Sequence, residues 1–215
     1  MEARAVNMPP MSDTPETDQE AAAPGDPAYA YKPSVMGAPH QFALRPDGLQ
    51  WQIGRRSGLL LYDRIRRVRL SFRPATMQSQ RFLTEIWSQD MPKLQIASAS
   101  WRSMVELGRQ DAAYSAFITE LHRRLGAAGA TAQFAAGMPM VVFGIGVLVF
   151  GSALIAMAVL TVRAMQSGQW SAAAIIGALL AVFGFQLGSY FRRNVPGQYR
   201  PDAIPANVLP PRGKP

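Results

Sequence analysis

The chain has 215 residues, 48% of them apolar, and carries 22 basic against 14 acidic side chains for a formal net charge of +8, which is room for one small domain plus accessories. It contains no cysteine, which excludes disulfides, thiolate metal sites and a cysteine nucleophile. Its two histidines, His40 and His122, are too far apart in sequence to build an imidazole metal cluster, so neither metal nor cofactor is expected.

The charge is unevenly placed. Residues 1–40 hold two basic and six acidic groups, residues 41–126 fourteen and seven, and residues 192–215 five and one. Such asymmetry points toward an anionic surface or an acidic partner. The first 40 residues are Pro-, Ala- and acid-rich with almost no large aliphatics, so they bury too little surface to offset chain entropy and read as a disordered tail. They lack the basic and continuous apolar regions of a cleavable export signal.

From Gln41 the pattern turns to period two. "FALRPDGLQWQI" predicts two strands joined at Pro46, Asp47 and Gly48, where Asp-Gly is a hairpin signal. "GRRSG" makes a second turn and places Arg55 and Arg56 on it. "LLLYD", "IRRVRLSFR", "RFLTEIWS" and "KLQIAS" follow as strands, with a weaker seventh over residues 102–107. "DAAYSAFITELHRRLG" then sets Tyr114, Phe117, Ile118, Leu121 and Leu125 on one helical face, with Asp111 as N-cap and Gly126 at the C-terminus. His122, beside Arg123 and Arg124, reads as a residue of the polar side.

Beyond an Ala/Gly linker at 127–137 come two charge-free apolar runs, 138–162 and 170–191, separated by the short loop 163–169. At 1.5 Å per residue they make helices of about 38 and 33 Å, enough to cross a hydrocarbon core of ~30 Å. They form a transmembrane hairpin with Trp170 and Tyr190 at interface positions. Arg123, Arg124, Arg192 and Arg193 flank the domain side against a lone Arg163 in the loop, so positive-inside counting puts both termini in the cytoplasm. Ala173, Gly177 and Ala181 recur by four, as do Gly184 and Gly188, and small residues at this spacing serve close helix packing, within the hairpin or between copies. The Pro-rich tail 192–215 forbids a helix after Pro196, yet its Tyr199, Ile204, Val208 and Leu209 are too apolar for a solvated tail and are expected to dock.

Short strands followed by one amphipathic helix make an α+β chain, and residues 41–126 resemble the bacterial membrane-associated pleckstrin-homology (PH) domain. The likeness rests on "LRPDGLQWQIG" as the opening hairpin, "LLLYDRIRRVRL" as the third strand turning into the fourth, and "AYSAFITELHRRL" as the closing helix. It implies a seven-stranded, partly open antiparallel barrel plugged by the helix, serving as a binding module and not as an enzyme. The loop between its first two strands, "RPDG", has one arginine and one aspartate, too little to cage a multiply charged inositide.

The cationic register of "IRRVRLSFRP" brings Arg67, Arg69 and Arg73 to one side of a strand, about 6.6 and 13 Å apart. With Arg55 and Arg56 they are the candidates for contact with lipid or a partner. Three occupants fit: solvent with exposed ion pairs to Glu85 and its neighbours, each contributing ~0–1 kcal/mol; anionic lipid headgroups, at about 1 kcal/mol per side chain; or an acidic segment, whether the N-terminal tail or a protein partner. Asp63, Asp90 and Glu106 show no paired-carboxylate spacing, no glycine-rich loop opens a helix after a strand, and no serine stands in a nucleophile motif. The membrane hairpin argues against nucleic acid. The expectation is an integral protein of the bacterial inner membrane acting as a structural or regulatory interaction module; the alternative is a small oligomerising subunit of a transport or channel assembly.

Overall fold

The computed structural model describes residues 26–73, 81–101 and 107–210. In chain order the strands are β1 (Ala28–Tyr31), β2 (His40–Leu44), β3 (Gly48–Ile53), β4 (Arg56–Leu61), β5 (Ile65–Phe72), β6 (Phe82–Ser88), β7 (Leu94–Ala97), β8 (Ala99–Trp101) and β9 (Leu107–Arg109). Helix α1 (Asp111–Ala127) follows, then β10 (Gln133–Ala136), the long helices α2 (Met140–Gln166) and α3 (Trp170–Arg193), and β11 (Gly197–Gln198).

One sheet is the antiparallel meander β1-β2-β3-β4, the second runs β11-β10-β5-β6-β7, and β8-β9 form a ribbon. Alternation decides which side chains each strand buries. Phe42, Leu44, Leu49, Leu60, Val68, Leu70, Phe82, Ile86, Leu94 and Ile96 meet in one core under α1, whose Tyr114, Phe117, Ile118, Leu121 and Leu125 are all buried as their spacing predicts. Two tyrosines draw the sheets together: Tyr29 Oη donates to the Ala97 carbonyl at 2.6 Å and Tyr31 Oη to that of Gln95 at 2.7 Å, so β1 side chains occupy acceptors along β7.

Several boundaries differ from the sequence expectation. The segment Ala28–Tyr31, assigned to the disordered tail, is a strand, because Tyr29 and Tyr31 bury their rings at alternate positions while the backbone pairs with β2. Residues 1–25 lie outside the described residues. So do residues 102–106 of the expected seventh strand, whose last residue, Leu107, opens β9. Gln110 and not Asp111 occupies the N-cap position of α1, and Asp111, in the first turn, pairs with Arg109. The helix passes Gly126 and ends at Ala127, with Ala128 as its C-cap and Gly129 taking the left-handed turn at φ +62°.

The expected linker 127–137 is the largest correction. Its Gln133–Ala136 is β10, paired parallel to β5 from Gln133 opposite Arg67 to Ala136 opposite Leu70. A short segment with one large apolar residue gains its place from non-local pairing and from burying Phe134. The tail does dock: β11 pairs with β10, Val208 is fully buried, and Tyr199, Ile204 and Leu209 pack against the core.

Helices α2 and α3 form a hairpin turning over residues 167–169, so Arg163 sits inside α2 and not in the loop. Each is long and apolar enough to cross a membrane, and no residue of the most apolar stretch of α2 and 6% of that of α3 is buried within the protein. Bare apolar surface of that extent is what a lipid-facing helix presents.

Candidate membrane-proximal basic interface

Strand β5 positions the site. A bulge between Ile65 and Arg67 sets its register, after which Val68, Leu70 and Phe72 point into the core, and Arg67 and Arg69 lie on the opposite face with Arg73 just beyond the strand end. Each arginine has its own surroundings. Arg67, exposed, donates to Gln133 Oε1 of β10 at 3.0 Å. The Arg69 guanidinium stacks 5.4 Å from the Trp87 ring centre, and Lys93 Nζ lies 5.5 Å from the same ring. Partial burial lowers the Arg69 pKa, with Glu85 opposing the shift.

Glu85, directly across from Arg69, is 2% exposed. Its Oε1 accepts from Lys93 Nζ at 2.6 Å and from Gln95 Nε2 at 3.3 Å, while Arg73 stands 4.0 Å from its other oxygen. One buried carboxylate therefore sits among several cations. Lys93 and Trp87 carry no motif; they become visible as part of the site only once strand register places them beside Arg67 and Arg69.

Arg55 and Arg56 belong elsewhere. Arg55 lies in the exposed turn between β3 and β4, Arg56 opens β4 opposite Ile53 in the other sheet, and the structure does not bring them to the β5 row.

The lower end of β5 is built into the hairpin. The Phe72 amide donates to Asn194 Oδ1 at 3.1 Å, and Asn194 Nδ2 donates to the Tyr190 carbonyl at 3.2 Å. Met138 N–H reaches the Asn194 carbonyl and Gly137 N–H the Leu70 carbonyl. Arg193 lies 5.0 Å over the Phe72 ring, and the Tyr190 and Phe72 rings are 6.5 Å apart. Gly137 adopts φ +74°, and a Cβ there would stand 2.3 Å from the Val195 carbonyl oxygen, so only glycine fits. The domain is thus joined to the helices by packed backbone, in place of the Ala/Gly linker expected at 127–137.

His122, expected on the polar side of α1, is 1% exposed. Its Nδ1–H donates to the Ile118 carbonyl at 2.7 Å, which leaves Nε2 to accept from Tyr199 Oη at 2.8 Å. The ring packs against Phe134 and Tyr199. Burial pushes its pKa down to about 4, with the Ile118 bond opposing. Beside it an open groove between α1 and the tail is lined by Thr119, Arg123, Gly126, Pro201 and Asp202 among others.

The small residues of α3 divide into two sets. Ala173 is buried, and a Cβ on Gly177 would lie 3.7 Å from Thr161 of α2, so these two serve the hairpin. Ala181 is exposed, and Gly184 and Gly188 have nothing within 4 Å of a Cβ. The tight contact is at Gly146 of α2, where a Cβ would stand 3.0 Å from the Phe191 ring, with Phe143 and Phe150 edge-on to the same ring.

Among the described residues no three His, Asp or Glu side chains gather as metal ligands. Comparison of the chain with protein-family models, curated proteins and solved structures finds no match.

Proposed function

We propose that this chain is an integral protein of a bacterial inner membrane, with both termini in the cytoplasm, that holds a PH-like module against the membrane surface as a non-enzymatic interaction element. The module contacts a protein partner or anionic lipid in a structural or regulatory role. The observation that carries this reading is the pairing of two uncovered apolar helices with a packed junction to the β domain. Arg123, Arg124, Arg192 and Arg193 on the domain side against Arg163 near the turn support the orientation. A four-strand meander, a three-strand meander and a closing helix, in that chain order, support the PH-like reading.

In this arrangement the module needs no lipid affinity to reach the bilayer. The packed junction between β5 and the helix end supports a fixed attitude of the module toward the membrane, the use expected of a platform. Sodium carbonate washing of bacterial membranes that contain the full chain tests the reading: the protein stays in the pellet, and release into the wash contradicts it. A second reading, a subunit of a transport assembly, is favoured by the open Gly184 and Gly188. It predicts an oligomer in mild detergent that Gly184→Leu dissociates, and a monomer in every such detergent removes it.

A further inference from the structure

We propose that three arginines around the Phe72–Asn194 junction, Arg73 and Arg81 from the sheet and Arg192 from the helix end, seat the phosphate headgroup of an anionic membrane lipid. This rests on the membrane-spanning reading above and moves the lipid contact from the middle of β5 to its end.

Height comes first. Helix α3 has 24 residues, about 36 Å at 1.5 Å per residue, so a span that covers a ~30 Å core brings its last turn to headgroup level. Asn194 follows that turn and holds the Phe72 amide, so the end of β5 lies at the same level. Arg73 is the next residue, and its N–H donates to the Arg81 carbonyl at 2.8 Å, so the two arginines leave adjoining strands side by side. Arg69 and Arg67 stand farther along β5, about 10 and 16 Å from Phe72 at 3.3 Å per residue, on Trp87 and Gln133 respectively.

Charge and unmet hydrogen bonding come second. The carboxylate that Arg73 approaches is Glu85, which is already engaged by Lys93 and Gln95, while the Arg73 side chain stays 52% exposed. Arg81 Nε is shielded from solvent and has no acceptor among the described residues. A buried donor without an acceptor is costly, and a phosphate oxygen meets the need of a guanidinium in a fork geometry that water supplies less well. Arg192 is exposed at the helix end. A lipid phosphodiester is the phosphate held at that height, and the anionic leaflet adds attraction.

The test is lipid selectivity of the full chain reconstituted into bilayers that carry trace spin-labelled phosphatidylglycerol or phosphatidylcholine. Both labels show a motionally restricted component, and the native chain prefers phosphatidylglycerol about fivefold, the gain given by one well-seated cation. Arg73→Gln with Arg81→Gln brings the preference down to about twofold or less, whereas Arg67→Gln with Arg69→Gln leaves it unchanged. Arg81→Gln alone, the milder change, at least halves it. Millimolar inorganic phosphate does not displace it. No preference in the native chain, a preference that stays above about twofold after the Arg73 and Arg81 changes, or its loss to free phosphate overturns the lipid seat while leaving the spans intact. Absence of a restricted component for both labels overturns the membrane-spanning reading itself.

Discussion

The amide of Phe72, the last residue of β5, donates to the side-chain oxygen of Asn194, the first residue beyond α3, across 3.1 Å and 122 positions of sequence. Asn194 is fully buried and also engages Tyr190 and Met138. Replacing it with leucine strands a buried N–H, which costs about 1–3 kcal/mol. Thermal unfolding in mild detergent then falls by roughly 2–10 °C. Asn194→Asp keeps an acceptor for Phe72 and loses less.

Glycine at 137 is demanded by space as well as by φ, since a Cβ there meets the Val195 and Asn194 carbonyls within 2.5 Å. Gly137→Ala is expected to prevent accumulation of folded protein. Gly129→Ala shares the positive φ but has open space around it, and costs about 1–2 kcal/mol. Expression level and melting temperature of the two variants separate the effects; equal behaviour would contradict the tight junction.

The His122–Tyr199 bond ties the tail to α1. The imidazole titrates near 6.5 when unfolded and at about 4 when folded, so the unfolded chain binds the proton first. Stability from this group is fully present above about pH 6.5 and is lost as pH falls toward 4, about 3 kcal/mol in all. A melting-temperature profile over that range, compared with His122→Leu, should show the native chain losing more on acidification. At neutral pH Tyr199→Phe removes the donor to Nε2 and destabilises by about 1–2 kcal/mol.

Within the hairpin, Gly146→Leu drives a side chain into the Phe191 ring and should loosen the helix pair, read as faster proteolysis at the turn. Gly184→Leu, with nothing near its Cβ position, leaves that susceptibility unchanged. Equal sensitivity of the two would contradict the observed helix faces.

The elements legible in the sequence are those that carry their own periodicity: the β2–β3 hairpin around Asp47 and Gly48, the buried stripe of α1, and the two apolar runs. Elements that exist only through partners far along the chain were not. β10 has a single large apolar residue and is held by β5, some 66 positions earlier, and β11 is held by β10. β1 hides in a Pro-rich setting, although Tyr29 and Tyr31 alternate. His122 looked exposed because Arg123 and Arg124 follow it, and Tyr199, which stacks on it, lies 77 residues away. The arginine row on β5 was readable from alternation, but its orientation was not, because Asn194 decides where the end of that strand sits. Arg81 had no signal beyond its charge.

The account stands most directly on where the chain lies relative to the bilayer, and its lack of cysteine makes that measurable. Ser167→Cys at the hairpin turn and Ser57→Cys on exposed β4, each expressed in full-length protein in intact cells stripped of their outer envelope, are exposed to a membrane-impermeant maleimide. The prediction is labelling of Cys at 167 from outside and of Cys at 57 only after permeabilisation. Labelling of position 57 in sealed cells, or protection of both positions until permeabilisation, contradicts a module held on the inner face by two membrane-crossing helices.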